Sequence, residues 1–338
     1  MKVLIVGGTG LLGLAGAKEL IKRGHNVKAI SLPEIPENLE LPETMEIVFG
    51  NYETMTENDL RKHLRGIESL VFAAGVDERV EHKGPIYDFY RDRNIIPLKR
   101  LLHLAKEMKV KSAIICGSYF TYLDRLWENL YLYENHPYIR SRVDQTNEAF
   151  SFYDKDFSVT ILELPYIFGV QPGRKPVWVF LVEQIEKMKL ATFYPRGGTA
   201  MITVNQVGQV IASAVETAKG AKQIPVGYYN LTWKKMLRIF HEEMGYKHRP
   251  IITIPKKIYR LALLSYKRKY EKAGIESGLD FKGLAEIMTR KAYIDNKYLK
   301  TILKVKDDDL EKSIRDSVRL SLEILHKNRQ VVEMKEQK

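Results

Sequence analysis

The sequence predicts an α/β protein: a doubly wound parallel sheet followed by a smaller C-terminal lobe. Three observations carry this expectation. The N-terminus runs from a short apolar strand, Lys2-Val3-Leu4-Ile5-Val6, straight into Gly7-Gly8-Thr9-Gly10-Leu11-Leu12-Gly13 and then into a helical pattern. Downstream, short apolar runs alternate with longer helical stretches, as expected when crossover helices cover both faces of a parallel sheet. After Pro165 the alternation loses its regularity. Proline and glycine gather at 165–176 and 195–198, where the chain is expected to leave the sheet for a second lobe.

In chain order, the strands expected after 2–6 are 27–30, 45–49, 69–73, 112–116 and 158–162, each a short run rich in apolar residues. Helical patterns lie between them at 56–65, 89–108 and 140–153. A further helix is expected at 205–219, a return strand at 227–231 and a last helix from about 307 to 328. The end of the chain is polar and is expected to fray. No internal repeat or low-complexity segment interrupts this order.

A chain of 338 residues can bury a full core and still carry a second lobe. Its 45% hydrophobic and 28% charged residues are ordinary for a globular protein. The single cysteine, Cys116, sits in the apolar run Ala113-Ile-Ile-Cys116, cannot form an internal disulfide, and reads as a small buried hydrophobe. The N-terminus is itself a strand and lacks a cleavage region, so no signal peptide is expected. No apolar run approaches the roughly 20 residues that span a bilayer. A reducing, cytoplasmic setting is the resulting expectation. The net charge of +12 favours anionic partners: a phosphorylated cofactor, a nucleotide-linked substrate, nucleic acid or anionic lipid. No His, Cys, Asp and Glu spacing suggests a metal site.

The glycine loop has a physical reading of its own. Gly7 allows a tight strand-to-helix turn, Gly10 leaves room for a pyrophosphate against the backbone, and Gly13 lets the helix lie close to the strand. The free N–H groups and positive dipole end of the helix then face the phosphates.

With these residues in view, the chain resembles the extended short-chain dehydrogenase/reductases, the group of NAD-dependent epimerases and dehydratases, from residue 1 to about 325. The glycine loop, with Thr9, Leu11 and Leu12, is the first feature. Gly50-Asn51-Tyr52 stands where such proteins usually have Gly-Asp and an apolar residue at the adenine. Phe72-Ala73-Ala74-Gly75 matches the strand end that lines the cofactor. Gly117-Ser118-Tyr-Phe-Thr-Tyr122 is similar to the family's Ser-x-x-x-Tyr, and Pro137-Tyr138-Ile-Arg-Ser-Arg142 stands in the place of Tyr-x-x-x-Lys. Leu164-Pro165-Tyr-Ile167-Phe-Gly169 resembles the loop that holds the nicotinamide end, and Tyr229-Asn-Leu-Thr-Trp233 the segment that opens the helix after the return strand.

The resemblance implies a Rossmann-type NAD(P)-binding domain over 1–168, with 200–231 returning to it. It implies a substrate lobe from 169–199 and 232–328, and a polar tail at 329–338. It implies a small-molecule substrate, epimerised, dehydrated or reduced at a hydroxyl or carbonyl, with a nucleotide-linked sugar as one class; a homodimer is allowed. Tyr138 becomes the acid/base, Ser118 the donor that orients the substrate oxygen, and Arg142 the cation that orients the cofactor ribose and tunes Tyr138. Residues four apart share a helix face, so Tyr138 and Arg142 can act together. A tyrosine serves as a base if its pKa falls from about 10, and a fixed cation lowers it.

Arg142 is the main departure, because the family usually carries lysine there. Arginine stays charged, but its fork is longer and bulkier. Two alternatives stay open beside the enzyme: a dinucleotide-binding regulator with little turnover, and a nucleic-acid-binding atypical member, which no aromatic stacking platform or RNA motif supports.

Cofactor choice turns on the end of the second strand, where an Asp or Glu often binds the ribose hydroxyls of NAD. Ser31 stands there and removes the charge that would repel a 2′-phosphate. NAD and NADP are both expected to bind, with a lean to NADP. Asn51 can hydrogen-bond an adenine through a donor or an acceptor. The aromatic run Tyr119 to Trp127 is expected either to line the substrate pocket or to pack on itself. Gln171-Pro-Gly-Arg174-Lys175 and Arg196-Gly-Gly198 read first as solvated turns and second as diphosphate sites. His136 reads as structural. The basic amphipathic stretch 255–270 is expected to pack Ile258, Leu261 and Leu264 against the second lobe rather than to touch a membrane.

Overall fold

The structure, a computed structural model, describes residues 1–327 apart from Glu34 and Glu37. The polar tail expected at 329–338 lies outside the described residues. Seven strands form the main sheet: β1 (Lys2–Val6), β2 (Asn26–Ser31), β3 (Glu46–Phe49), β4 (Ser69–Phe72), β5 (Ser112–Ser118), β6 (Ser158–Leu164) and β7 (Ala221–Pro225). All neighbours pair in parallel, in the order β7-β6-β5-β4-β1-β2-β3. The strand order reverses about β1 and β4, which opens a crevice at their C-terminal ends.

β1 is apolar throughout because it is buried on both faces. Val3 and Ile5 enter one core, and Leu4 and Val6 enter the other. Burying each such side chain contributes about 1.5–3 kcal/mol relative to leaving it in water. Helix α1 (Leu11–Lys22) follows the glycine loop, and α2 (Ile96–Glu107) follows a π-turn at Arg91–Ile95. Helix α3 (Pro137–Phe150) precedes β6, and α4 (Val204–Thr217) leads to β7. Thr203 and Gln206 form a capping box at the start of α4, the Thr-x-x-Gln signature of a helix start.

Several elements differ from the sequence expectation. The helix expected over 89–108 is interrupted: Pro97 has no N–H to give the preceding turn, and the π-turn before it carries Asn94 inward. The return strand is Ala221–Pro225, not 227–231. Its Ala-Lys-Gln-Ile-Pro sequence hides it because β7 is an edge strand whose lysine and glutamine face water. Tyr229–Thr232 instead pairs antiparallel with Gly198–Thr203, which also pairs in parallel with Tyr166–Phe168 and Lys291–Ala292. This second sheet covers a separate core built on Phe168, Trp178, Trp233 and Phe240.

Helix α5 (Lys256–Ala273) is turned relative to expectation. Ile258 and Leu261 are 54% and 68% exposed, whereas Tyr259 and Leu263 face the lobe and Tyr270 meets Phe281 at 5.2 Å. The inner stripe is mixed: Leu263 is its buried member, and Tyr266 stays 47% exposed. Among the described residues, no helix is long and apolar enough to cross a membrane.

Candidate active site

The ends of β1, β4, β5 and β6 bring the sequence-predicted residues to one crevice. At the end of β1, Gly7 has φ +83°, and a Cβ there would lie 2.7 Å from the Ala73 carbonyl oxygen. A Cβ on Gly13 would lie 2.2 Å from the Gly7 oxygen. Both positions therefore require glycine. Gly10 is different: a Cβ there would meet only the Gly7 oxygen, at 3.2 Å, so the space beyond it is open. Gly10 caps α1 with extended backbone and no side chain, which leaves the helix-start N–H groups of Leu11, Leu12 and Gly13 without a capping side chain. A dinucleotide pyrophosphate fits this cradle: an open Cβ position, uncapped donors and a positive helix end.

Thr9 is buried, and its N–H donates to the Ser31 hydroxyl at 3.1 Å. Ser31 is itself buried, so that hydroxyl serves the loop. The Gln171 amide donates to the Thr9 carbonyl at 2.8 Å while its own oxygen is buried and unpaired. Gly173 abuts Pro36, leaving no room for a side chain. Segment 170–174 is therefore not a solvated turn. It lies across the glycine loop, and its sequence hid this because the contact is made over 162 residues of chain.

Beyond the end of β3, the Asn51 side-chain oxygen accepts the Glu53 N–H at 2.9 Å, forming a local turn. Tyr52 is half-buried and stands edge-on to Phe72, 5.6 Å between ring centres. Ala73 donates to the Val6 carbonyl at 2.9 Å, extending the β1–β4 ladder, and Ala74 follows it half-buried. Gly75 has φ +119°, and a Cβ would lie 2.5 Å from Asn94 Oδ1. Asn94 is fully buried; its side chain accepts from Val76 N at 2.8 Å and donates to Val76 O at 3.0 Å. Gln145 on α3 donates to the Asn94 carbonyl at 2.5 Å. Sequence reasoning missed this clamp. The available signal was slight: an asparagine between the charged run Arg91-Asp92-Arg93 and the apolar Ile95-Ile96.

Ser118, Tyr138 and Arg142 converge. Ser118 ends β5 close enough to the Tyr138 phenol to influence it, and its hydroxyl oxygen accepts the Phe120 N–H at 3.4 Å. Tyr138 and Arg142 share a face of α3, with the guanidinium carbon 6.0 Å from the ring centre. Arg142 Nη2 donates to the Cys116 carbonyl at 2.8 Å, and its Nε is buried without a partner. A Cβ on Gly75 would sit 3.9 Å from Arg142 Nη1, which sets the cation against the β4 strand end. Pro165 is buried after β6, and the Ile167 carbonyl accepts from the Trp178 indole at 3.0 Å.

The electrostatics differ from expectation at Tyr138. Burial raises its pKa above the ordinary value; Arg142 and Ser118 oppose this, while Glu78 and Asp77 reinforce it. The cation is present, but desolvation outweighs it. Burial also pushes the Glu78 carboxyl up to about 7; Asp77 adds to this, and Arg79 and Arg142 oppose it. Arg79 pairs with Asp77 and donates to the Val177 carbonyl at 3.3 Å, linking this loop to the C-terminal lobe.

The run from Tyr119 forms part of the wall. Tyr119 and Phe120 are buried with Tyr90 and Tyr138, and the Thr199 hydroxyl donates to the Tyr119 oxygen at 3.3 Å. His136 is fully buried, and its Nδ1 accepts from the Asp280 N–H at 3.0 Å. Burial holds this ring neutral with a pKa down to about 4. Among the described residues, no group of three or more His, Cys, Asp and Glu side chains could hold a metal ion.

The sequence profile of the NAD dependent epimerase/dehydratase family matches residues 3–206, more than half of the chain. The chain belongs to the NAD dependent epimerase/dehydratase family. A UDP-glucose 4-epimerase from Klebsiella pneumoniae is 28% identical over 133 residues, 37% of this chain and 94% of that protein. Among solved structures, gox2253 superimposes with a TM-score of 0.71 at 18% identity, covering 98% of this chain and 99% of that one. UDP-glucuronic acid 4-epimerase from Bacillus cereus, in complex with NAD, gives 0.65 at 14% identity, covering 96% and 99%. MoeE5, in complex with UDP-glucose and NAD, gives 0.64 at 15% identity, covering 96% and 100%.

Within this epimerase/dehydratase chain, the C-terminal lobe carries a groove of about 420 Å³ lined by Arg196, Pro255, Lys256, Glu286, Thr289 and Arg290. Three of the six are cationic; Lys256 pairs with Glu286 at 3.0 Å. The Arg290 guanidinium lies 5.4 Å from the ring centre of Trp127, whose ring packs against the cluster that contains Tyr138.

Proposed function

We propose that the protein is an NAD-linked enzyme that interconverts a hydroxyl and a carbonyl on a nucleotide-linked sugar. One observation carries this reading: Ser118, Tyr138 and Arg142 meet beside Gly75, at the same sheet edge as the open cradle of Gly10. A bound dinucleotide would supply the hydride acceptor or donor at its nicotinamide. Gly10, Leu11, Leu12 and Gly13 would hold its phosphates, and Gln171 would keep the covering segment on the loop. Tyr138 would take or return the hydroxyl proton, and Ser118 would hold the substrate oxygen. Arg142 would supply a fixed positive charge at the strand ends.

Support for a nucleotide-linked substrate is twofold. Relatives of similar fold are named as acting on, or bound to, UDP-sugars. The basic groove around Arg196 and Arg290 suits an anionic diphosphate. NAD is favoured over NADP: the family is NAD-dependent, and the Ser31 hydroxyl is engaged by Thr9. The earlier lean to NADP finds no support.

The test is turnover of UDP-glucose and UDP-glucuronic acid with NAD. Tyr138→Phe should lose about 10²-fold or more in turnover while dinucleotide affinity holds, the range expected for a lost acid/base. Equal turnover in the variant would overturn the assignment. The second reading, a dinucleotide-binding regulator, rests on the raised pKa of Tyr138, which disfavours the phenolate. It predicts dinucleotide binding without turnover of either sugar.

A further inference from the structure

We propose that the outer face of α5 docks on an anionic lipid surface. The inner side of the helix is taken by Tyr259 and Leu263, and its outer side shows Ile258 and Leu261 to water at 54% and 68% exposure. Lys257, Leu261, Leu264 and Arg268 recur at helical spacing along that outer side, with Leu264 half-buried. Seven residues of α5 are basic (Lys256, Lys257, Arg260, Lys267, Arg268, Lys269 and Lys272) against one acidic residue, Glu271. Two of these cations are engaged, Lys256 by Glu286 and Lys267 by Glu271 at 3.8 Å. The strand pair before the helix also exposes apolar rings and branches: Phe193 and Ile252 are register partners, 49% and 42% exposed.

Charge complementarity selects the occupant. A second copy would bring the same excess of positive charge to the face and be repelled. A nucleic-acid backbone would satisfy the cations but would leave Ile258 and Leu261 without an apolar medium. An anionic bilayer surface takes both, with lysine and arginine at the headgroups and the aliphatic side chains at the acyl boundary. The helix would lie on the surface and not span it. This inference does not depend on the proposed reaction.

The experiment is flotation of the full chain with vesicles of equimolar phosphatidylserine and phosphatidylcholine, beside vesicles of phosphatidylcholine alone. Binding should be at least about tenfold tighter to the mixed vesicles and should weaken as salt rises. Ile258→Glu with Leu261→Glu should weaken it about tenfold with an unchanged melting temperature, because both side chains are exposed. If that variant fails to fold, Arg268→Glu with Lys269→Glu tests the same face. Equal binding to both vesicle types, no binding at low salt, or full binding by the variants would overturn the proposal. Lipid-free self-association that the substitutions abolish would assign the face to a second copy. Tighter retention on polynucleotide than on vesicles would assign it to nucleic acid.

Discussion

Arg142 is anchored to the backbone of the strand that carries Ser118: its Nη2 donates to the Cys116 carbonyl at 2.8 Å. The carbonyl lies two residues before Ser118, so one cation is tied to both Tyr138 on its own helix and the strand end that carries Ser118. A lysine could supply charge there but could not combine a strand-bound nitrogen with a second free one.

Arg142→Met keeps much of the stem and removes both the charge and the Cys116 bond. Turnover should fall about 10²-fold, and any residual activity should move to higher pH, because loss of the cation lifts Tyr138 further. Dinucleotide affinity should weaken about tenfold, about 1.4 kcal/mol. Arg142→Lys should retain turnover. Wild-type affinity and an unchanged pH profile in Arg142→Met would make Arg142 a structural residue.

The glycine loop separates binding from folding. At Gly10 a Cβ would meet one backbone oxygen, Gly7 O at 3.2 Å, a contact relieved by a shift of a few tenths of an ångström, so Gly10→Val should fold and lose dinucleotide binding by calorimetry. Gly13 has no such room: a Cβ would stand 2.2 Å from the Gly7 oxygen, backbone that cannot rotate away. Gly13→Ala should therefore destabilise the chain by about 1–3 kcal/mol, read as a lowered midpoint in urea. Equal stability losses in the two variants would contradict this division.

Cofactor preference follows from Ser31. Its hydroxyl accepts from Thr9, so the residue is spent on shaping the loop and offers no charge to a 2′-phosphate. Titration with both dinucleotides should give tighter binding for NAD. Tighter binding of NADP would require a cation at the ribose, and Arg174, half-buried in the segment over the loop, would be the first residue to replace.

The parts of the molecule legible in the sequence are those set by local chemistry. The strand–glycine–helix unit at 2–22 is one, and the pairing of Tyr138 with Arg142 on one helical turn is another. The hidden parts depend on contacts distant in sequence. Gln171 reaches Thr9 only once the chain folds back. Asn94 looks like an interruption in a helix until Gly75 and Val76 meet it. Ile258 and Leu261 have the period of a buried stripe, and only the competing stripe of Tyr259, Leu263 and Tyr270 decides which side turns outward. The pKa of Tyr138 is hidden for a related reason: the cation four residues away is local, whereas the burial that outweighs it is made by Tyr90, Phe120 and the second lobe.

Glu78 couples the stability of the fold to pH. Its carboxyl is raised from 4.5 in the unfolded chain to about 7 in the folded one, chiefly by burial, with Asp77 adding and Arg79 and Arg142 opposing. Between those values the folded state binds more protons than the unfolded state, so this residue lowers stability as pH rises from 4.5 to 7. Glu78→Gln removes the titration. Near pH 5 the variant and the wild type should melt together. By pH 8 the variant should melt higher, by about 1–2 °C for each 1 kcal/mol in a chain of this size. Thermal melts across this range, each with the variant alongside, measure the difference directly. A constant offset at every pH would show that the carboxyl titrates at its ordinary value, and Glu78 would then be a solvated residue at the rim of the crevice.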